Sequence, residues 1–254
     1  MVLLLKDKKT ILPRLYQDSV IYVEEISLVE EDYLWRNVQV YVENPNSMKE
    51  FLVMQFDRKR RSLSAYMTAE KPTTIEKFAG IMRRRKDYQT HLQTSTPASY
   101  IKKYMPWLTK VYTARYHRVD SSAFKPSRMH VAKAVRLTPQ NVTKLDPSAS
   151  PVYIKRLETA PVYGYLDERG QLIATSGVGY LTKKSFSISY TETKPDYRGR
   201  GIAKCLTSLA CEPLIKKRLI GVYAADATNK PSLGVAKGLG FKPYCYIKCF
   251  HNCK

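Results

Sequence analysis

Two periods of apolar residues run along the chain. Alternating runs such as "NVQVYVEN" (37–44), "EFLVMQFD" (50–57), "SLSAYMTA" (62–69) and "KVYTARYHRV" (110–119) predict strands. Between them a period near 3.6 predicts helices over "TTIEKFAGIMRRR" (73–85) and "ASYIKKYM" (98–105), with an earlier helix around Leu12 to Glu25. The second half predicts a strand at "HVAKAVRL" (130–137), a short helix after Thr138, and strands "PVYGYLDE" (161–168) and "QLIATSGVGYL" (171–181) joined by a turn at Arg169-Gly170. Strand "SFSISYTET" (185–193), a helix from Arg200 to Glu212, strand "IGVYAAD" (220–226), a helix after Asn229 and strand "KPYCYIKCF" (242–250) complete it. The fold class expected is mixed α/β, with mostly antiparallel sheets flanked by helices.

The Ser- and Pro-bearing stretch "VDSSAFKPSR" (119–128) reads as a connector, giving domains at 1–120 and 126–254. Of the 11 glycines only Gly80 precedes residue 160, so a glycine-lined phosphate cradle is expected only in the second domain. The formal net charge is +21 and leans the same way: residues 126–254 hold 21 Lys+Arg against 8 Asp+Glu. Such a balance favours anionic partners. The apolar run in "MVLLLKDKKT" is too short for a secretory signal, and no segment approaches the eighteen or so apolar residues of a membrane span. A soluble cytoplasmic protein without a membrane partner is expected, and its 5 cysteines do not suggest a disulfide framework.

The stretch "KPDYRGRGIAKCL" (194–206) carries the sharpest chemical signal. Ile202, Leu206 and Leu209 recur at helical spacing, which fixes one face of the helix on the sheet and makes its amino terminus a rigid feature. The first N–H groups of a helix lack intrahelical partners and carry partial positive charge, so they bind phosphate. Gly199 and Gly201 leave the backbone open, and Arg198, Arg200 and Lys194 add charge. A Walker loop is excluded because no Gly-Lys-Ser/Thr follows, and a dinucleotide fingerprint because Lys204 stands where its third glycine would be.

A second constellation follows in "ATNKPSLGVAKGLGFKPY" (227–244), with Asn229, Ser232 and the ending Gly240-Phe241. Together "R-G-R-G-I-A" and "N-x-x-S-x-x-V-A-x-x-L-G-F" resemble the GNAT superfamily of acyl-CoA N-acyltransferases. The preceding "VRLTPQNVTKL" and "GYLDERGQLIATSGVGY" are similar to that family's opening strand and helix and its central hairpin. The resemblance covers about residues 128–250. The tandem arrangement is similar to two-lobed members of the superfamily, with a degenerate lobe at 1–120 on the acceptor side and a catalytic lobe at 126–254.

The resemblance implies acetyl-CoA or another acyl-CoA as co-substrate, an amine-bearing acceptor, direct transfer and no metal. It implies that backbone around Thr193 holds the pantetheine arm, that amides of Arg198, Gly199, Arg200, Gly201, Ile202 and Ala203 hold the pyrophosphate, and that Asn229 and Ser232 contact the cofactor near its sulfur. On the strand "SFSISYTET", Glu192 is the only carboxylate and shares a face with Tyr190 if the strand is regular, making these two the candidate catalytic residues. A bulge would reverse that assignment. The family's usual acid, a tyrosine on the last helix, corresponds to Ala236; Tyr190, Tyr223, Tyr244 or Tyr246 could stand in, or water could protonate the thiolate. Two alternatives stay open: a protein of this fold that binds acyl-CoA or an anionic polymer without turnover, and a tRNA-dependent aminoacyl-transferase, which the charge suits but the pyrophosphate loop does not. Nucleic acid is a disfavoured partner.

Other signals carry less. Cys245, Cys249 and Cys253 on a strand would spread roughly 13 Å, too far for one zinc ion. The basic runs "DRKRR" (57–61) and "MRRRK" (82–86) read as solvated element ends.

Overall fold

The computed structural model describes residues 2–31, 37–58 and 60–252; Lys59 of the first basic run and Cys253 of the cysteine series lie outside them. The chain divides into two compact units. Unit 1 comprises Met1–Asp18, Leu28–Arg115 and Tyr246–Lys254, and unit 2 comprises Ser19–Ser27 and Tyr116–Cys245. Against the contiguous 1–120 and 126–254 read from the sequence, a segment near each end of the chain has changed sides.

Unit 1 holds strands β1 (Leu3–Leu4), β2 (Val38–Val42), β3 (Phe51–Asp57), β4 (Ser62–Thr68) and β5 (Gln89–Thr94). Its sheet is completed by the last strand of the chain, β12 (Lys242–His251), which pairs antiparallel with β5 from Lys248↔Thr94 to His251↔His91. Strands β1 to β4 are successively antiparallel, whereas β4 and β5 run parallel, joined by helix α3 (Pro72–Arg83). Ile75, Phe78, Ala79 and Met82 recur at helical spacing on α3 and pack on Leu52, Met54, Leu63, Ala65 and Leu92. Ile101 of α4 (Ala98–Tyr104) joins that core.

Unit 2 repeats this plan. Strands β7 (Ala134–Arg136), β8 (Val162–Leu166), β9 (Leu172–Leu181) and β10 (Ser185–Thr193) are successively antiparallel, and β10 runs parallel to β11 (Ile220–Asp226) through helix α7 (Ile202–Lys216). Beyond β11 lies β6 (Lys110–Val119). Helices α5 (Pro139–Leu145) and α6 (Pro151–Arg156) connect β7 to β8, and α8 (Lys230–Gly238) follows β11. Each unit is thus a mixed sheet in which one parallel crossover helix rests on antiparallel strands.

Three sequence expectations are corrected, and two elements are added. The helix around Leu12 to Glu25 is two helices, α1 (Leu12–Leu15) and α2 (Val23–Glu30); between them the Ser19 carbonyl accepts from the Ser185 hydroxyl at 2.6 Å and so is committed outside any helix. The strand at 130–137 shrinks to Ala134–Arg136, because His130 adopts a left-handed φ of 65° and starts a 3-10 turn over Val131–Lys133. Strand β5 and helix α6 escaped the reading: β5 buries Thr90 and Thr94 as well as Leu92, so its inward face is half polar by composition. The presumed connector is docked in unit 2. Lys125 N–H donates to the Leu239 carbonyl at 3.0 Å, Ser127 N–H to the Ser208 hydroxyl at 2.8 Å, and Arg128 grips Glu212 of α7 at 2.6 and 2.8 Å, which holds that carboxyl down at about 2.

The two basic runs meet on the surface of unit 1. Arg61 lies 4.0 Å from Asp87 and its guanidinium is over the Tyr88 ring, while Arg85 lies over Phe56 at 5.0 Å.

The crossover of unit 1 begins on a buried carboxylate. Glu50, 5% exposed, accepts from the backbone N–H groups of Glu70 (2.8 Å) and Lys71 (2.7 Å) and from the Thr74 hydroxyl (2.9 Å). It fills the N-terminal end of α3, where the helix field is positive. Burial pushes its carboxyl up, but those hydrogen bonds and the Lys71 ammonium outweigh it and leave the pKa below the ordinary value. Glu50→Gln is expected to destabilise the protein by about 1–3 kcal/mol in urea unfolding. Because the folded pKa is depressed, this contribution is complete above the ordinary carboxylate value and fades as pH falls through the folded one, so wild type and variant converge in acid.

Candidate functional site

The site of unit 2 begins where two parallel strands part. The β10–β11 register runs from Ser185↔Ile220 to Ile188↔Tyr223 and stops, although β10 continues to Thr193 and β11 to Asp226. β10 keeps its partner on the other side, with Glu192↔Thr175 and Thr193↔Ala174 on β9. Past Ile188, the edge of β10 turned towards β11 therefore has no strand partner among the described residues, and its polar backbone groups line the opening between the two strands. Among the described residues Thr193 Oγ1 is a buried hydroxyl oxygen with no hydrogen-bond partner.

Beyond the Thr193 end of β10 stands the amino terminus of α7. Gly199 and Gly201 have φ of 76° and 81°, which let the loop turn twice within three residues, and no side-chain hydrogen bond caps the helix that follows. Side chains fold back to brace the loop instead. Arg198 Nε donates to the Thr193 carbonyl at 2.9 Å and an Arg200 terminal nitrogen to the Asp196 carbonyl at 2.9 Å, leaving both guanidinium charges at the loop surface. The Arg200 carbonyl accepts from His130 Nε2 at 2.7 Å, so that nitrogen carries the proton. Ile202 is buried with Tyr165, Ile173, Ala174 and Leu206, which anchors the first turn on the sheet, and Ala203 follows half-buried. Among the described residues, chain neighbours aside, no heavy atom lies within 4 Å of a Cβ built on Gly199, and only the Met129 methyl, at 3.9 Å, approaches one on Gly201. The cradle is open, positive and rigid, and its donor set suits a pyrophosphate.

A line of hydroxyls crosses the opening. Thr207 of α7 meets Ser176 of β9 at 2.8 Å, and Ser176 meets Thr191 of β10 at 2.9 Å. Thr191 is a partner of the Tyr223 phenol, which lies 3.0 Å from Ser232 Oγ at the start of α8. Asn229 caps α8 by accepting from Ser232 N–H at 3.1 Å, so its amide is engaged in holding the helix start.

Strand β10 is not regular. Its register shifts between Ser187 and Ile188 and again between Ser189 and Glu192, and Tyr190 has a φ of 56°. A left-handed tyrosine inside a strand costs on the order of 1–3 kcal/mol. Two contacts hold it: Thr175 Oγ1 donates to the Tyr190 carbonyl at 2.7 Å, and the ring meets Tyr153 of α6 edge-on at 4.9 Å. The bulge corrects the alternation expected from the sequence. Ser189 has joined the side of Tyr190, and both lie against Gly179, where a Cβ would stand 2.6 Å from Ser189 Cβ and 3.7 Å from the Tyr190 ring. Thr191 points the other way, to Ser176, and Glu192 is exposed. Tyr153 was missed because α6 was missed; the Ser150-Pro151 N-cap was its sequence signal. Burial, with Tyr190 and Asp146 nearby, pushes the Tyr153 phenol up to about 12. Ala236 is fully buried.

Of the residues expected at the site, Thr193 ends β10, Arg198 to Ala203 lead into and begin α7, and Asn229 and Ser232 stand at the start of α8, with Tyr190 and Glu192 on β10. No described helix is long and apolar enough to cross a membrane.

Residues 163–250 match the family model for GNAT acetyltransferase. No curated protein matches the sequence. Among solved structures, a Drosophila protein is similar over 99% of this chain and 98% of its own at 13% identity and a TM-score of 0.68. A tandem GNAT protein from the clavulanic acid biosynthesis pathway is similar over 99% and 98% at 14% identity and a TM-score of 0.63. A GCN5-related N-acetyltransferase-like protein from Streptococcus suis is similar over 94% and 96% at 16% identity and a TM-score of 0.63. Residues 163–250 are thus similar to a GNAT acetyltransferase domain, within a fold that a tandem GNAT protein shares along nearly the whole chain.

Proposed function

We propose that the protein transfers an acyl group, acetyl in the simplest case, from acyl-CoA to an amine in the cytoplasm. The observation that carries this reading is the uncapped, glycine-flanked start of α7, the crossover between strands β10 and β11 whose pairing ends at Ile188↔Tyr223. The acyl-CoA thioester supplies an activated carbonyl. The amides from Arg198 to Ala203 hold its pyrophosphate, with the charges of Arg198 and Arg200 beside them. The partnerless backbone edge of β10 near Thr193 lies alongside the pantetheine arm and gives the orphaned Thr193 hydroxyl a polar neighbour. Asn229 and Ser232 border the reacting end.

On this reading the two crossovers serve different ends. Glu50 occupies the start of α3 with a carboxylate, so an anion arriving there would meet like charge. One coenzyme A per chain follows, bound in unit 2. Unit 1 then serves the acceptor rather than the coenzyme.

Glu192 is the proposed base. It is exposed on the strand beside the opening, where it takes the proton of the attacking amine directly or through one water, and Tyr190 borders the acceptor. A second reading, acyl-CoA binding without turnover, is favoured by one observation: the buried Ala236 supplies no proton donor from α8.

Gly201→Glu puts a carboxylate at the phosphate cradle on a backbone that favours glycine, and titration calorimetry is expected to show one site for coenzyme A in wild type and none in the variant. Undiminished affinity in the variant would remove the cradle assignment. Glu192→Gln is expected to lower kcat at neutral pH by about 100-fold or more while coenzyme A affinity stays unchanged. Wild-type kcat with an unaltered pH profile would return Glu192 to the solvated surface.

A further inference from the structure

Acyl transfer to an amine releases coenzyme A as a thiolate, and a positioned proton donor speeds that departure. Four tyrosines of the second half could supply the proton, and the structure separates them. Tyr190 turns its ring to Tyr153 on α6. Tyr244 is 40% exposed beneath the Arg118 guanidinium. Tyr246 is 60% exposed, belongs to unit 1 and lies beneath Arg115. Tyr223 is 3% exposed and is the last residue of β11 to pair with β10, opposite Ile188. Its ring is set in the core by an edge-on contact with Phe241 at 5.8 Å, and its hydroxyl is held between the strand that leaves and the helix that follows, by Thr191 and by Ser232.

We infer that Tyr223 is the proton donor to the departing thiolate. The inference rests on the acyltransferase reading above and assigns within it the acid that Ala236 cannot provide. Tyr223, Ala236, Leu239 and Phe241 share one buried cluster, so the small residue at 236 and the large ring at 223 are complementary in volume. A hydroxyl absent from α8 is thereby delivered beside α8 from β11. Burial pushes the phenol above its ordinary value, with the Ser232 and Thr191 hydroxyls pulling it partly back, so it is protonated throughout the neutral range.

The step balances within these groups. The amine nitrogen bonds to the thioester carbonyl carbon and loses a proton to the base. The carbon–sulfur bond then breaks, sulfur keeps the bonding pair, and the Tyr223 proton moves to it. The phenolate regains a proton from solvent through the half-buried Ser232 hydroxyl. The products are the amide and the coenzyme A thiol, with no oxidant or reductant involved.

The bland account is a core tyrosine whose hydroxyl is merely satisfied, and two measurements on the full chain tell the accounts apart. The first labels tyrosines with 13C at Cζ, assigns the Tyr223 signal by its loss in Tyr223→Phe, and titrates with coenzyme A and with desulfo-coenzyme A. The expected result is that both ligands bind and that only the thiol moves the Tyr223 signal strongly. The second follows thiol release from acetyl-CoA in a mixture of primary amines, where Tyr223→Phe is expected to be slower by about 100-fold or more with coenzyme A affinity within about twofold of wild type. Phenylalanine keeps the ring in its cluster, so thermal melting should barely change. Equal movement of the Tyr223 signal by both ligands, or wild-type thiol release by Tyr223→Phe, would overturn the donor role and leave the transferase reading standing. If neither ligand binds, the transferase reading fails and this inference with it.

Discussion

The second unit depends on two parallel strands ceasing to pair. Up to Ile188↔Tyr223 the strands β10 and β11 form an ordinary ladder; beyond it their facing edges have no partner in the sheet. An edge of unpaired backbone inside a folded unit is costly unless something polar answers it. The same chain geometry that opens the strands also brings the start of α7 to the mouth of the opening, since α7 is the crossover between them. Burial of Ile202 and Leu206 then fixes the helix on β8 and β9, so the exposed N–H groups of its first turn have a constant position. One topological feature thus leaves an unpaired strand edge and the positive start of a helix at the same end of the strand pair.

The two units make the argument by contrast. Both place one helix across a parallel strand pair, and both helices start with their positive ends free of intrahelical partners. In unit 1 that end is closed from within by Glu50, through two backbone hydrogen bonds and one from Thr74. In unit 2 it is left open, ringed by Arg198, Arg200 and two glycines in left-handed conformations. The same architecture carries a carboxylate at the helix start in one unit and leaves that start uncapped in the other.

Most of this was legible in the sequence where local chemistry decides it. The glycine pair at 199 and 201, the apolar spacing of α7 and the Asn229 cap all depend on neighbours a few residues away, and each was read in place. What escaped the reading depends on contacts distant in sequence. Strand β5 was hidden because its inward threonines count as polar until their hydroxyls find carbonyls, as Thr94 does at Met67 (2.7 Å). The exchange of β12 into the sheet of unit 1 has no local signature, because the segment reads as a strand whichever partner it takes. The bulge at Tyr190 was foreseeable only as a possibility; its cause is the packing of Ser189 and Tyr190 against Gly179 on the next strand.

The central claim, that the parted strands and the open start of α7 form one acyl-CoA site, is tested most directly by amide hydrogen exchange with and without coenzyme A. The account predicts slowed exchange in peptides covering 189–193 and 198–204, with no change at 70–76 around the closed start of α3. Protection at 70–76, or coenzyme A binding that leaves 198–204 exchanging at its unliganded rate, would contradict it.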